Sequence, residues 1–210
     1  MASAARAAKY LTMGVAVIAA LATASAAKSG LIGTGAASYC DPTASKPFMP
    51  WGDYAAYTLT PGGSFEGGLP AWSLSGDAGL VSGNEPFYLN GAKDKRSLLL
   101  PAGSSAMTPA MCFALGDWHL RFLMRNVGAA NGSLRVSVVV PSLVGGLLTV
   151  LDGGSVSGNG TWAPSPRMGL LLSNVTSLVG TRAVAFRFTP VGRGAAYQID
   201  DVYLDPWKCT

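Results

Sequence analysis

The sequence predicts an all-β protein, an antiparallel β-sandwich entered through an irregular N-terminal arm. Three observations predict it. Charged residues make up only 12% of the chain while Gly (27) and Pro (13) are plentiful, which suits short strands joined by tight turns. Several segments alternate apolar and polar residues with a period of two, the pattern of a half-buried antiparallel strand. The one helix-length stretch after the N-terminal region, 170–179, is broken by Ser173, Asn174 and Ser177. An apolar content of 49% excludes a disordered chain, and 210 residues suffice for one domain with a real core.

The first 27 residues read as a signal peptide. Arg6 and Lys9 give a positive start, residues 11–21 are an uncharged apolar run, and Ala24-Ser25-Ala26 supplies the small residues a signal peptidase reads. The run is shorter than the roughly 20 residues of a spanning helix, so cleavage near Ala26 or Ala27 and a secreted product without membrane insertion are expected. Tyr39 precedes Cys40 where a lipoprotein signal wants a small residue.

Residues 28–60 carry Pro42, Pro47 and Pro50 with the aromatics Phe48, Trp51, Tyr54 and Tyr57, and read as an arm packed on the domain. The domain itself is expected over 61–206, with 207–210 as a tail. Its candidate strands are 64–66, 71–75, 96–100, 111–114, 118–125, 133–140, 147–150, 167–172, 183–189 and 196–204. The alternation is clearest in the later ones. Leu134, Val136, Val138 and Val140 share one face, and Val184, Phe186 and Phe188 oppose Ala183, Ala185 and Arg187. Gly62-Gly63, Gly67-Gly68, Gly145-Gly146 and Gly153-Gly154 are the expected turns.

The formal charge of +4 falls to +2 once Arg6 and Lys9 are removed, leaving 13 basic against 11 acidic residues. Those basic residues are scattered, so nucleic acid is not an expected partner. Cys40, Cys112 and Cys209 in an oxidising compartment imply one disulfide and one leftover thiol. Three pairings are open; Cys40–Cys112 is favoured because Cys209 is next to last in the chain.

Catalytic chemistry finds little support, and no enzyme is expected. The single histidine, His119, lies on a strand beside Arg121, and no Gly-x-Ser-x-Gly elbow is present. Glycan binding needs planar aromatics for sugar C–H faces and polar groups for hydroxyls. Trp162 follows a Gly-Asn-Gly-Thr turn, and Asn84 and Tyr88 lie in the polar aromatic segment 82–88, so these three are the candidate ligand residues.

Two segments carry a resemblance. Gly63-Ser-Phe-Glu-Gly-Gly-Leu-Pro-Ala-Trp72 opens the domain, and Ala196-Tyr-Gln-Ile-Asp-Asp-Val-Tyr-Leu204 closes it. Together they resemble the galactose-binding-like β-jelly-roll used by many carbohydrate-binding modules; the whole chain also resembles a group of small exported proteins of high-GC bacteria. The resemblance implies that the first and last strands are neighbours. It also implies a structural calcium ion, with Glu66 and Asp200 or Asp201 as ligands and Asp94 as a third carboxylate. Calcium takes six to eight hard oxygens, which two or three carboxylates and nearby carbonyls can supply. A strand bulge would turn Asp200 toward Glu66, with Ile199 and Val202 both facing the core. The function expected is an exported non-catalytic module for glycan or cell-wall polysaccharide. The alternative is a structural or protein-interaction domain of the cell envelope without a small ligand. Tryptophans converging on one face would favour the first, buried tryptophans with a large apolar patch the second.

Overall fold

The computed structural model describes residues 43–113, 119–141, 148–169 and 182–205. Among these residues thirteen strands run antiparallel in two sheets. They are β1 (Thr58–Leu59), β2 (Ser73–Ser75), β3 (Gly79–Ser82), β4 (Arg96–Leu100), β5 (Ser105–Met107), β6 (Met111–Phe113), β7 (His119–Asn126), β8 (Ser133–Pro141), β9 (Leu148–Val156), β10 (Ala163–Pro164), β11 (Met168–Gly169), β12 (Arg182–Val191) and β13 (Tyr197–Leu204). The first sheet follows the order β10-β7-β13-β4-β3, with β1 beside β13 and β11 beside β7. The second follows β2-β5-β12-β8-β9, with β6 beside β12. Strands distant in sequence lie side by side in each sheet, and the architecture is the β-jelly-roll sandwich that the two end motifs imply.

The period of two sorts residues between the faces. Leu134, Val136, Val138, Val184, Phe186 and Phe188 meet Phe122, Leu98, Tyr197 and Ile199 in one core between the sheets. Fully burying such side chains stabilises by about 1.5–3 kcal/mol each before chain entropy is charged against it. Trp72 closes this core, its ring stacked near Phe188 and its indole N–H donating to the Pro61 carbonyl at 2.7 Å.

A second, smaller core lies on the outer face of the first sheet. Phe48, Tyr57, Leu123 and Tyr203 are buried there, with Trp51, Leu89 and Trp162 packed around them. Residues 43–59 thus lie across β7 and β13, held by the short 3-10 turn Met49–Trp51 and by a bridge between Ser45 and Tyr57.

The opening and closing motifs do sit together, though not as two strands. Residues 64–66 form a turn, because Phe65 adopts φ 58° to bury its ring against Trp72. The first strand, β1, is the one from this region that pairs with β13, through Thr58–Leu204 and Leu59–Tyr203. Gly63 holds the motifs in contact: Val202 N–H donates to its carbonyl at 3.1 Å, and a Cβ there would stand 2.8 Å from the Val202 carbonyl. Gly153-Gly154 is not a turn but lies within β9, where the β8–β9 register shifts and Gly154 takes φ +102°. The segment expected at 167–172 is a strand only at Met168–Gly169 among the described residues. Cys40 and Cys209 lie outside the described residues, so the Cys40–Cys112 bridge does too; the backbone of Cys112 is in β6. The N-terminal 27 residues also lie outside them.

Candidate functional site

The closing motif bends. Between Asp200 and Tyr203 strand β13 slips one residue against β7, and Asp201 adopts φ 49°. The bulge lets Ile199 and Val202 both enter the main core, and it turns both aspartates to the outer face. Each is about 1% exposed. Loop residues 83–95 cover them. Asp200 accepts the Asp201 amide (2.9 Å) and, at long range, the Glu85 amide (3.5 Å). The Asn90 amide donates to Asp201 Oδ1, and the Tyr203 hydroxyl donates to Asn90 Oδ1 at 3.1 Å. Asp201 Oδ2 is buried without a partner, as is Asn84 Nδ2.

Glu85 organises this loop. Its carboxylate accepts the amides of Phe87 and of Leu89, the latter at 2.9 Å, and its own side chain is 1% exposed. Burial, the Asp201 charge and Glu85 push the Asp200 carboxyl up to about 9. Burial, with Glu85 and Asp94 nearby, also raises Asp201. Asp94 is raised by burial and by Glu66 and Glu85. Negative charge here exceeds what the surrounding donors neutralise.

Of the four carboxylates expected to bind calcium, Asp200 and Asp201 lie in this pocket, and Asp94 is near enough for its charge to act on Asp201. Glu66 stands at its edge with Oε1 committed to the Lys95 and Arg96 amides at 2.6 Å each. Glu85 joins the pocket without having been expected. As the side chains stand, no three acidic, His or Cys residues among the described residues form a ready metal cage. Glu66 and Glu85 spend oxygens on backbone amides. The unpartnered Asp201 oxygen is the one observation that favours a cation there.

A second charged group ties the arm down. Arg121, buried on β7, pairs with Asp53, donates through Nε to the Ser165 carbonyl at 3.0 Å, and lies 4.7 Å over the Phe48 ring. Tyr57 donates to the same Asp53 carboxylate at 2.7 Å. Burial works against the Asp53 charge, yet Tyr57, the Ala55 amide, Arg121 and Arg167 together hold its carboxyl below the usual range. His119 sits beside it, with Nδ1 3.2 Å from Asp205 and 3.3 Å from Arg167. These groups clamp the arm to the sheet edge; no nucleophile is poised on the histidine among the described residues.

The third site is the outer face of the second sheet. Registers across β2, β5, β12, β8 and β9 align Ser73, Met107, Arg187, Ser137 and Asp152 in one row. The next row holds Ser75, Ser105, Thr189, Arg135 and Ser155, with the Ser75 and Ser105 hydroxyls 2.7 Å apart. Met107, within the first row, and Val139 and Ala185 beside it are buried; Ser73, Ser105, Ser137, Arg187 and Thr189 are half-buried, whereas Arg135, Ser75, Asp152 and Ser155 are exposed.

Tyr88 is 53% exposed and Phe87 41%, with Trp51 set edge-on to Phe87 at 4.8 Å. Trp162 is half-buried against the second core, and the Arg125 guanidinium lies 5.2 Å over its ring. Beside it a cavity of about 310 Å³ is lined by Met124, Asn159, Thr161 and Pro164. Asn159 Oδ1 already accepts the Thr161 amide and hydroxyl. The three expected ligand residues therefore do not converge: Tyr88 is presented to solvent, Asn84 is half-buried beside the pocket, and Trp162 packs on Arg125. The hydroxyl rows were missed because each serine reads alone as a solvent-facing strand position. Only the cross-strand register reveals a row.

No family model and no curated protein matches the chain. Among solved structures it is similar to a family 61 carbohydrate-binding module in complex with β-1,4-galactotriose, at 17% identity and TM-score 0.42 over 70% of this chain and 96% of that one. It is also similar to a xylan-binding domain of family 22 from Paenibacillus barcinonensis (12%, TM-score 0.43, 66% and 87%). A third is a family 11 module of a cellulosomal cellulase from Clostridium thermocellum (12%, TM-score 0.37, 73% and 96%).

Proposed function

We propose that this protein is an exported, non-catalytic module that binds a polysaccharide on the outer face of its second sheet. The observation that carries the reading is the pair of polar rows across β2, β5, β12, β8 and β9, rich in hydroxyls and holding Arg135 and Arg187. Serine and threonine hydroxyls both donate and accept, as sugar hydroxyls do, and a broad sheet face can engage several sugar units at once. Affinity electrophoresis of the purified protein through gels containing single polysaccharides tests it. Retardation by at least one polymer is expected, and unchanged mobility in all of them overturns it. Export is tested by N-terminal sequencing of protein from culture medium, expected to begin near Ala27 or Lys28.

The proposal includes calcium. Asp200, Asp201 and Asp94, with Glu85 beside them, would hold it, and the ion would supply the positive charge that the buried carboxylates lack. The support is the buried, unpartnered Asp201 Oδ2.

A second reading, an envelope protein-interaction domain, is favoured by one observation. Tyr54 (66% exposed), Phe87 and Tyr88 present aromatic surface beside Trp51, while Trp72 is buried in the main core. The double change F87S/Y88S separates the two: polysaccharide retardation survives it if the sheet face is the site.

A further inference from the structure

Resting on that reading, we infer that the polysaccharide is an acidic one, a polymer bearing uronic-acid carboxylates, recognised by Arg135 and Arg187. In register Arg187 faces Ser137 and Arg135 faces Thr189, so the two arginines are diagonal neighbours on adjacent strands of the same face. Such diagonal positions lie about 7–8 Å apart at the backbone, and both guanidinium forks can reach groups along one bound chain. Neither arginine is paired with a carboxylate among the described residues; the Arg187 side chain has one hydrogen-bond partner among them, the Met107 sulfur at 3.8 Å. Arg121 and Arg167 pair with Asp53 and Arg125 donates to Gln198, whereas the exposed guanidinium groups of Arg96 and Arg193 have no ion-pair partner among the described residues either. What sets Arg135 and Arg187 apart is that the two stand as neighbours on one serine-rich face.

A guanidinium presents two parallel N–H groups that match a carboxylate. Ser73, Ser75, Ser105, Ser137, Thr189 and Ser155 then meet the sugar hydroxyls on either side. No tryptophan, tyrosine or phenylalanine side chain occupies either row, so stacking on neutral sugar rings is not what these rows offer. The charge density also decides among acidic ligands. The two rows hold two arginines, and Asp152 ends the Arg187 row two strands away. A densely sulfated or phosphorylated chain would meet that carboxylate at full charge, whereas carboxylates spaced one per sugar leave room to avoid it.

Titration calorimetry of the purified protein with polygalacturonate, arabinoxylan, galactan and dextran sulfate tests this. Polygalacturonate is expected to bind, to weaken severalfold between 50 and 300 mM NaCl as exposed charges are screened, and to lose more than about tenfold in R135Q/R187Q. The R135K/R187K protein, which keeps charge but loses the fork, is expected to fall between them. Melting curves for both variants, expected to match the parent because neither residue is buried, exclude unfolding as the cause. Binding to a neutral polymer alone overturns the acidic ligand while leaving the module reading intact. Equal or tighter binding of dextran sulfate shows mere charge attraction and overturns it as well. Polygalacturonate affinity unchanged in R135Q/R187Q also overturns it. Binding to none of the four, nor to any polymer in the gels, fells both readings together.

Discussion

Two buried acidic groups work at opposite ends of the pH scale, and their residues explain why. Asp53 is surrounded by donors and cations, so its carboxyl is held low and its charge is an asset. A depressed folded-state value means stability present above the ordinary value of 3.8 and lost as pH falls through the folded one. Removing one partner of this buried pair leaves the other charge stranded: D53A or R121A is expected to cost about 3–5 kcal/mol in urea unfolding. A loss below about 1 kcal/mol would show that the pair does not anchor the arm. Asp200 and Asp201 are the reverse case. Their values are raised, Asp200 to about 9, so the folded state holds protons that the unfolded chain releases above 3.8. The corresponding stability is complete below pH 4 and drains away as pH rises toward 9. In chelator the melting temperature at pH 8 should therefore lie at least about 4–8 °C below that at pH 5, the equivalent of about 2 kcal/mol for a domain of this size. Calcium should close that gap by taking the protons' place, and magnesium, with its tight octahedral demand, much less. A gap that persists in calcium would assign the pocket to protons alone; no gap in chelator would mean the carboxylates are not destabilised at all.

At the scale of the element, β13 and the loop over it act as one unit. The bulge that places Asp201 at φ 49° is tolerable because Asp and Asn visit the left-handed region more readily than other side chains. D201N keeps that tolerance and the Asn90 contact region while deleting a charge. It is expected to raise the melting temperature at pH 8 in chelator and to abolish any calcium response; a lowered melting temperature there would mean the charge is stabilising. The bulge, with Ile199 and Val202 both inward, was legible in the sequence because two apolar residues flank two aspartates at a spacing that plain alternation cannot satisfy. Strands β8 and β12 were legible for the plainer reason that their alternation runs through most of their length. The Phe65 turn was not: a Phe between small and charged residues reads as strand until its burial demands a positive φ. Nor was Glu85, whose role comes from a loop folding back so that its carboxylate meets the amides two and four residues on. The Gly153-Gly154 pair misled because a bulge inside a strand and a turn between strands call for the same residue.

For the whole molecule, the sandwich separates its two candidate sites. The carboxylate pocket opens on the outer face of the first sheet, beneath loop 83–95, and the serine-arginine rows lie on the outer face of the second. Between them stand both sheets, packed about 10 Å apart, and the main core of Phe122, Phe186, Phe188 and Ile199. No described side chain touches both. Sites so separated, with no shared partner, are expected to add within about 0.3–0.5 kcal/mol. The predicted outcome is thermodynamic independence: R135Q/R187Q leaves the calcium-dependent shift in melting temperature unchanged, and D201N leaves polysaccharide affinity unchanged. The combined protein then shows each single effect undiminished. Calorimetry and melting curves on the four proteins close the cycle. A coupling above about 1 kcal/mol would show that the pocket governs the binding face through the core, since only a shift of the β4, β13 and β7 sheet against the second could carry it. The tight interdigitation of Phe122 with Phe188, edge to face at 5.2 Å, argues that such a shift is costly and that the two faces act alone.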